Sequence, residues 1–193
     1  MKYFQLINIV LSACLLTSAC SSTSAFGSKE GVSASDDELL ATLASLARRG
    51  TTAVCDLKVL ERELGIKIGE LKLERRKFQG VFHTDYYYTD SIAAINDQVE
   101  VADSRFSRSQ NNDPSCYLYI EFRQKRLCQT GNDRTEKIMG TSLVRGPTTP
   151  HRSDYGYYYF YKPSSGNSSE IYLGQSSTEC ASRFSLTVKG EWK

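Results

Sequence analysis

His83-Thr84-Asp85 places an imidazole and a carboxylate two residues apart, so an extended backbone would set both on the same side of a strand. Such a pair could orient a general base or contribute two ligands to a metal. A solvent-facing polar row accounts for the same residues. The chain has only two histidines, the second being His151, and neither a Gly-x-Ser-x-Gly elbow, a His-Glu-x-x-His pair nor a phosphate-binding loop accompanies them. The residues argue against an enzyme. No catalytic or metal-binding residue is assigned and no cofactor is expected; His83 and Asp85 are the only candidates should the chain act on glycan or peptidoglycan.

A second chemistry lies at the start. Lys2 is followed by an apolar run over residues 4–16, then by the small residues Thr17-Ser18-Ala19 and by Cys20. This is the order of a secretory signal: a short positive start, an apolar middle and a peptidase site. The segment Leu16-Thr17-Ser18-Ala19-Cys20 resembles the lipobox of bacterial lipoproteins, in which that thiol receives a diacylglycerol and becomes the new N-terminus. Leu11-Ser12-Ala13-Cys14 fits the same letters, but cleavage there would leave a very short apolar core and strand Leu15 and Leu16 in the mature chain. A retained membrane helix would be interrupted by Gln5, Asn8 and Ser12 and barely reaches the ~20 apolar residues a crossing needs. The resemblance implies residues 1–19 as signal peptide, a lipid at Cys20 and a lasting membrane anchor, since several acyl chains hold far more tightly than one. Ser21 and Ser22 follow, without the Asp that retains many lipoproteins at the inner membrane. That is similar to members sorted to the periplasmic face of the outer membrane.

Export bears on the remaining cysteines. Cys55, Cys116, Cys128 and Cys180 are even in number, which in an oxidising compartment reads as two disulfides, with three connectivities open. If residues 116–128 formed one unbroken strand, its ends would lie ~40 Å apart at about 3.3 Å per residue, beyond disulfide reach. Cys116 and Cys128 would then pair only with Cys55 and Cys180. A chain reversal near Gln124-Lys125-Arg126 removes that constraint, and the pattern stays open. The spacings do not match a paired Cys-x-x-Cys zinc site.

Tyrosine is the unusual component. Of twelve, Tyr86-Tyr87-Tyr88 and Tyr155, Tyr157, Tyr158, Tyr159 and Tyr161 fall into two clusters. Neighbours on a strand point to opposite faces, so consecutive tyrosines cannot all enter one core. Tyr86, Tyr87, Tyr88, Tyr157, Tyr158 and Tyr159 are therefore the candidates for a binding surface, because tyrosine offers a large contact area with few rotamers. Cross-strand aromatic pairing that only stabilises a sheet is the competing reading. With 24 basic and 22 acidic residues the chain has no field to attract nucleic acid, and Arg75-Arg76-Lys77 and Arg123, Lys125 and Arg126 read as solvated strand ends.

These residues need elements to position them. Residues 20–35 are rich in Ser, Gly and Ala and read as a flexible tether, leaving 36–193 as a single domain. Ser35 and Glu38 form a capping box ahead of the stripe Leu39, Leu40, Leu43, Ala44, Leu46 and Ala47, which predicts a helix ending at Gly50. Leu57, Leu60 and Leu64 predict another over 52–64. From Gly65 onward the pattern predicts strands. Ile66, Ile68, Leu71 and Leu73 suggest a short hairpin or the start of a sheet, and one strand is read through Phe78, Gly80 and Phe82 to Tyr88. Further strands are read over 98–106, 116–123, 137–144, 157–161, 171–173 and 183–192, with turns between them. The expected class is α+β: one or two N-terminal helices packed on a mainly antiparallel, curved or sandwich-like sheet of about seven strands.

A lipid-anchored, non-enzymatic protein-binding module follows as the leading expectation, of the inhibitor or immunity type. Its partner would be an envelope protein. An accessory structural lipoprotein of an envelope or secretion assembly is the second reading.

Overall fold

The computed structural model describes residues 36–78, 82–94, 100–109, 115–123, 126–128, 133–147, 155–175 and 180–190. All of them belong to one unit, Gly31–Lys193. The signal peptide, Cys20, the tether, Ser35, His151 and Trp192 lie outside the described residues, as do the side chains of His83 and Phe82.

Helix α1 spans Asp36–Arg49, with Asp36, Asp37 and Glu38 at its positive end and Arg48 and Arg49 at its negative end, the charge order its dipole favours. Leu40, Leu43, Ala44, Leu46 and Ala47 are buried along one stripe. The chain leaves α1 at Gly50, where φ is 73° and a Cβ would sit 1.8 Å from the Ser165 carbonyl oxygen. Only glycine meets both demands.

The helix read over 52–64 is two helices, α2 (Thr51–Val54) and α3 (Leu57–Leu64). Asp56 divides them: its backbone is extended, and its carboxylate accepts the Lys58 and Val59 amides at 2.9 and 3.3 Å. A residue committed to capping the next helix cannot continue the previous one. Gly65, at φ 62°, ends α3.

Strand β1 (Ile66–Ile68) makes no local hairpin; it pairs with the distant β4 (Ile92–Ala94) in a two-stranded sheet. The single strand read through Gly80 is instead two, β2 (Lys72–Phe78) and β3 (Phe82–Thr89), antiparallel with Phe78 opposite Phe82. They begin an eight-stranded sheet completed by β5 (Val101–Ser109), β6 (Ser115–Phe122), β7 (Leu143–Pro147), β8 (Tyr155–Tyr161), β9 (Ser168–Gln175) and β10 (Ala181–Lys189). The order is β2-β3-β5-β6-β10-β9-β8-β7 with every pairing antiparallel. Residues 107–109, read as loop, belong to β5.

The strand read over 137–144 is displaced by helix α4 (Asp133–Met139), and β7 starts only at Leu143. Thr135 and Met139 are buried, a helical spacing that the short segment did not advertise. The described residues are thus α+β, with four helices, one large antiparallel sheet and one small sheet among them.

One face of the large sheet forms the core. Phe106, Leu118, Leu186, Ile171 and Tyr159 make a continuous fully buried row across β5, β6, β10, β9 and β8. Helices α1 and α2 cover this face. Ser169 Oγ donates to the Ala47 carbonyl at 2.6 Å, and Cys116 is bonded to Cys55 at the end of α2. Among the described residues, no helix is long and apolar enough to cross a membrane.

Candidate functional site

The four cysteines read as bridges form two disulfides, Cys55–Cys116 and Cys128–Cys180. Strand β6 stops at Phe122, so the premise of one strand from 116 to 128 does not hold; the pairing follows from where α2 and β10 lie. Cys55–Cys116 joins a helix end to the core face, and Cys116 is buried. Cys128–Cys180 closes an isolated antiparallel bridge, and Cys128 is exposed.

Asp85 has a structural partner. Arg75, opposite it on β2, donates Nε–H to its carboxylate at 3.0 Å, and this contact raises the Arg75 pKa above its ordinary value. The carboxylate is committed to a cross-strand ion pair between the edge strand β2 and its neighbour β3. Among the described residues, no group of three or more His, Cys, Asp or Glu side chains gathers in the manner of a metal site.

Register sorts the tyrosines between two faces. Tyr157 stands opposite Leu173 and Tyr159 opposite Ile171, so both share the core face; Tyr87, opposite Arg108, follows them. Tyr159 is fully buried, which removes it as a surface residue: its strand position points at the helices. Tyr87 is half-buried with the Arg108 guanidinium 5.3 Å from its ring centre, and Tyr157 is half-buried against the core. Tyr86, Tyr88 and Tyr158 lie on the other face.

That second face carries more than the sequence clusters suggested. Tyr117, Tyr119 and Glu121 on β6, Arg183, Ser185 and Thr187 on β10, Glu170 and Tyr172 on β9, Phe160 on β8 and Val144 on β7 all share it. Helices α1 and α2 pack on the large sheet from the core face. Phe160 and Val144 are each 49% exposed, an unusual state for large apolar side chains.

The aromatic group is continuous. Tyr158 stacks on Phe160 with ring centres 6.3 Å apart and meets Tyr172 at 4.9 Å. Tyr172 lies against Gly156, where a Cβ would be 1.9 Å from the ring, and Arg183 lies against Gly174 in the same way. Glycines at these two sites let a ring and a guanidinium lie close to the backbone. Tyr119 donates its hydroxyl to Glu121 at 2.6 Å. Burial raises the Tyr119 pKa well above its ordinary value, and the bond to Glu121 adds to the effect. Burial also raises Tyr117 and Tyr158. At neutral pH these groups are neutral hydroxyls on a face that also carries the charged side chains of Arg105, Glu121, Glu170 and Arg183.

Alternation along 116–123 sets Tyr117 and Tyr119 opposite the apolar row Cys116, Leu118, Ile120 and Phe122. The grouping of Tyr172, Phe160 and Val144 with Tyr158 depends on strand order and register, which no local pattern encodes. Compared with known protein families, curated proteins and solved structures, the chain matches none.

Proposed function

We propose that this chain is a lipoprotein anchored through Cys20 at the periplasmic face of the outer membrane, and that it works as a non-enzymatic module docking another envelope protein. The observation that carries the docking role is the second sheet face, where Tyr158, Tyr172, Phe160 and Val144 form a continuous aromatic and apolar group outside the helix-covered core. Tyrosine and arginine are the residues enriched where proteins meet, and lysine and carboxylates are depleted at the centre of such patches. Size agrees. Strands of five to nine residues, eight abreast, offer roughly 35 by 25 Å, close to the ~800 Å² that a standard interface buries on each partner.

An inhibitor or immunity-type lipoprotein has this requirement and no other: a rigid surface that is ready before binding. The lipid at Cys20 rests on the Leu-Thr-Ser-Ala-Cys segment and the apolar run before it. It would hold the module where envelope enzymes and toxins arrive.

Crosslinking in intact cells tests both parts. Wild-type protein should copurify with one partner in a small stoichiometric complex, and Tyr158→Ala and Phe160→Ala should each weaken that complex by tenfold or more, ~1.4 kcal/mol. Tyr87→Ala, on the opposite face, should leave it intact. Cys20→Ser should move the protein out of the membrane fraction. Unchanged partners in the Tyr158 and Phe160 variants would refute the docking face, and copurification with large envelope machinery would instead favour an accessory structural role.

A further inference from the structure

Residues 126–128 lie between the start of β10 and the first turn of α1. The Arg126 amide donates to the Ala181 carbonyl at 3.2 Å and the Ala181 amide donates to the Leu127 carbonyl at 3.3 Å, which ties the segment to the start of β10. On its other side the segment grips the first turn of α1: the Cys128 amide donates to Asp36 at 3.2 Å, and Arg126 pairs with the same carboxylate at 3.5 Å. Next along the helix, Asp37 pairs with Arg134 of α4. Leu127, at the centre, has φ 55°, a conformation that a branched L residue avoids. The Leu127 side chain is nonetheless fully buried in the core, so the segment is held by that contact, by the two backbone hydrogen bonds and the Asp36 contacts, and covalently by the Cys128–Cys180 bond.

The two disulfides differ in access. Cys116 is 2% exposed beneath α2 and its partner Cys55 half-buried, whereas Cys180 is half-buried and Cys128 exposed, so the difference lies at Cys128. Thiol exchange requires an attacking thiolate to reach a sulfur, so an approaching dithiol meets Cys128 first. We propose that Cys128–Cys180 is a thiol-reducible latch on α1: once opened, it loosens residues 126–128 from β10 and releases the first turn of α1 at Asp36, while Cys55–Cys116 keeps α2 on the sheet. The thiolate of a dithiol attacks the Cys128 sulfur and forms a mixed disulfide as Cys180 departs as a thiolate, which takes up a proton. The second sulfur of the dithiol then displaces Cys128. The reagent ends as a cyclic or intramolecular disulfide, and the protein has gained two electrons and two protons. The latch does not depend on what the sheet face binds.

The test uses the full-length protein in detergent, equilibrated in buffers of graded reduced-to-oxidised dithiothreitol, alkylated on quenching and mapped by mass spectrometry, with amide hydrogen exchange on the same samples. Cys128 and Cys180 should become alkylated at a ratio at least roughly tenfold more oxidising than Cys55 and Cys116 require. In that window, exchange should rise in the first two turns of α1 and stay unchanged in β6 and the middle of β10. The Cys128→Ser/Cys180→Ser variant should show the same raised exchange without reductant, and Asp36→Ala should reproduce it in the oxidised protein. Simultaneous opening of both bridges, earlier opening of Cys55–Cys116, or unchanged exchange in α1 once Cys128 and Cys180 are free would each overturn the proposal. Should the double variant fail to fold, the titration of the wild type still decides.

Discussion

Tyr172 lies close to the sheet because Gly156 has no Cβ, and Arg183 does the same over Gly174. These contacts build a low surface from large side chains, and they place Tyr172 against Tyr158. Gly156→Ala forces the ring to move, since the new carbon would lie 1.9 Å from its Cε2 atom. We expect that substitution to lower stability by ~1 to 3 kcal/mol, the usual cost of overpacking. Tyr172→Ala in the same chain should remove most of the penalty, because the clash then has no partner. Urea unfolding of the four proteins of the cycle measures it, and strict additivity would contradict the ring position. Among the described residues, Leu73, Val144 and Phe160 are the large apolar side chains left most exposed, and two of the three sit beside this contact.

At the scale of elements, short helices are ended by side chains as much as by glycines. Asp56 starts α3 by accepting two amides. Glu61 of α3 then accepts the Ile68 amide at 2.8 Å, and Glu136 of α4 accepts the Leu143 amide at 2.7 Å. In each case a helix carboxylate holds the strand that follows, so the helix-to-strand turn is closed from within. Asp56→Ala should cost ~1 kcal/mol, and Asp56→Asn much less, because an amide oxygen also caps. Thermal melts of the two variants give the comparison; equal losses would mean that charge, not capping, is what matters at this position. Met139 ends α4 with its carbonyl accepting from Arg48 and, at 3.1 Å, from the Tyr161 hydroxyl, so α1, α4 and β8 are tied at one point.

For the molecule as a whole, alkaline pH is the condition that tests its buried hydroxyls. Tyr119 and Tyr161 are both raised well above 10, in each case first by burial, and Tyr117 and Tyr158 are raised less. In the unfolded chain a tyrosine ionises near pH 10. Above that pH the unfolded state loses protons that the native state keeps, so unfolding is increasingly favoured as pH rises. Their stabilisation is therefore intact below pH ~10 and drains away toward the folded values. The melting temperature should be level between about pH 7 and 9 and fall steadily above about pH 10, with tyrosinate absorbance lagging behind that of the unfolded protein. A constant melting temperature through pH 11.5 would show these hydroxyls to be wet.

Periodicity alone determined much of this architecture. The stripe from Leu39 to Ala47, the alternation of Cys116, Leu118, Ile120 and Phe122, and the row Phe184, Leu186 and Val188 each mark one buried face, because burial repeats with the geometry of the element. The cysteine count determined that two bridges form. Tertiary structure decided the rest. Residues 52–64 keep a helical stripe across the Asp56 break, 78–88 alternate through a reversal, and 133–139 are too short to show a period; in all three the local pattern is the same for either outcome. Which tyrosines meet also depends on register, since a shift by one residue moves a whole strand's side chains to the other face. Tyr158 reached the open surface and Tyr159 the core because β8 pairs with β9 in one register, and long-range pairing leaves no mark on the neighbours of either residue.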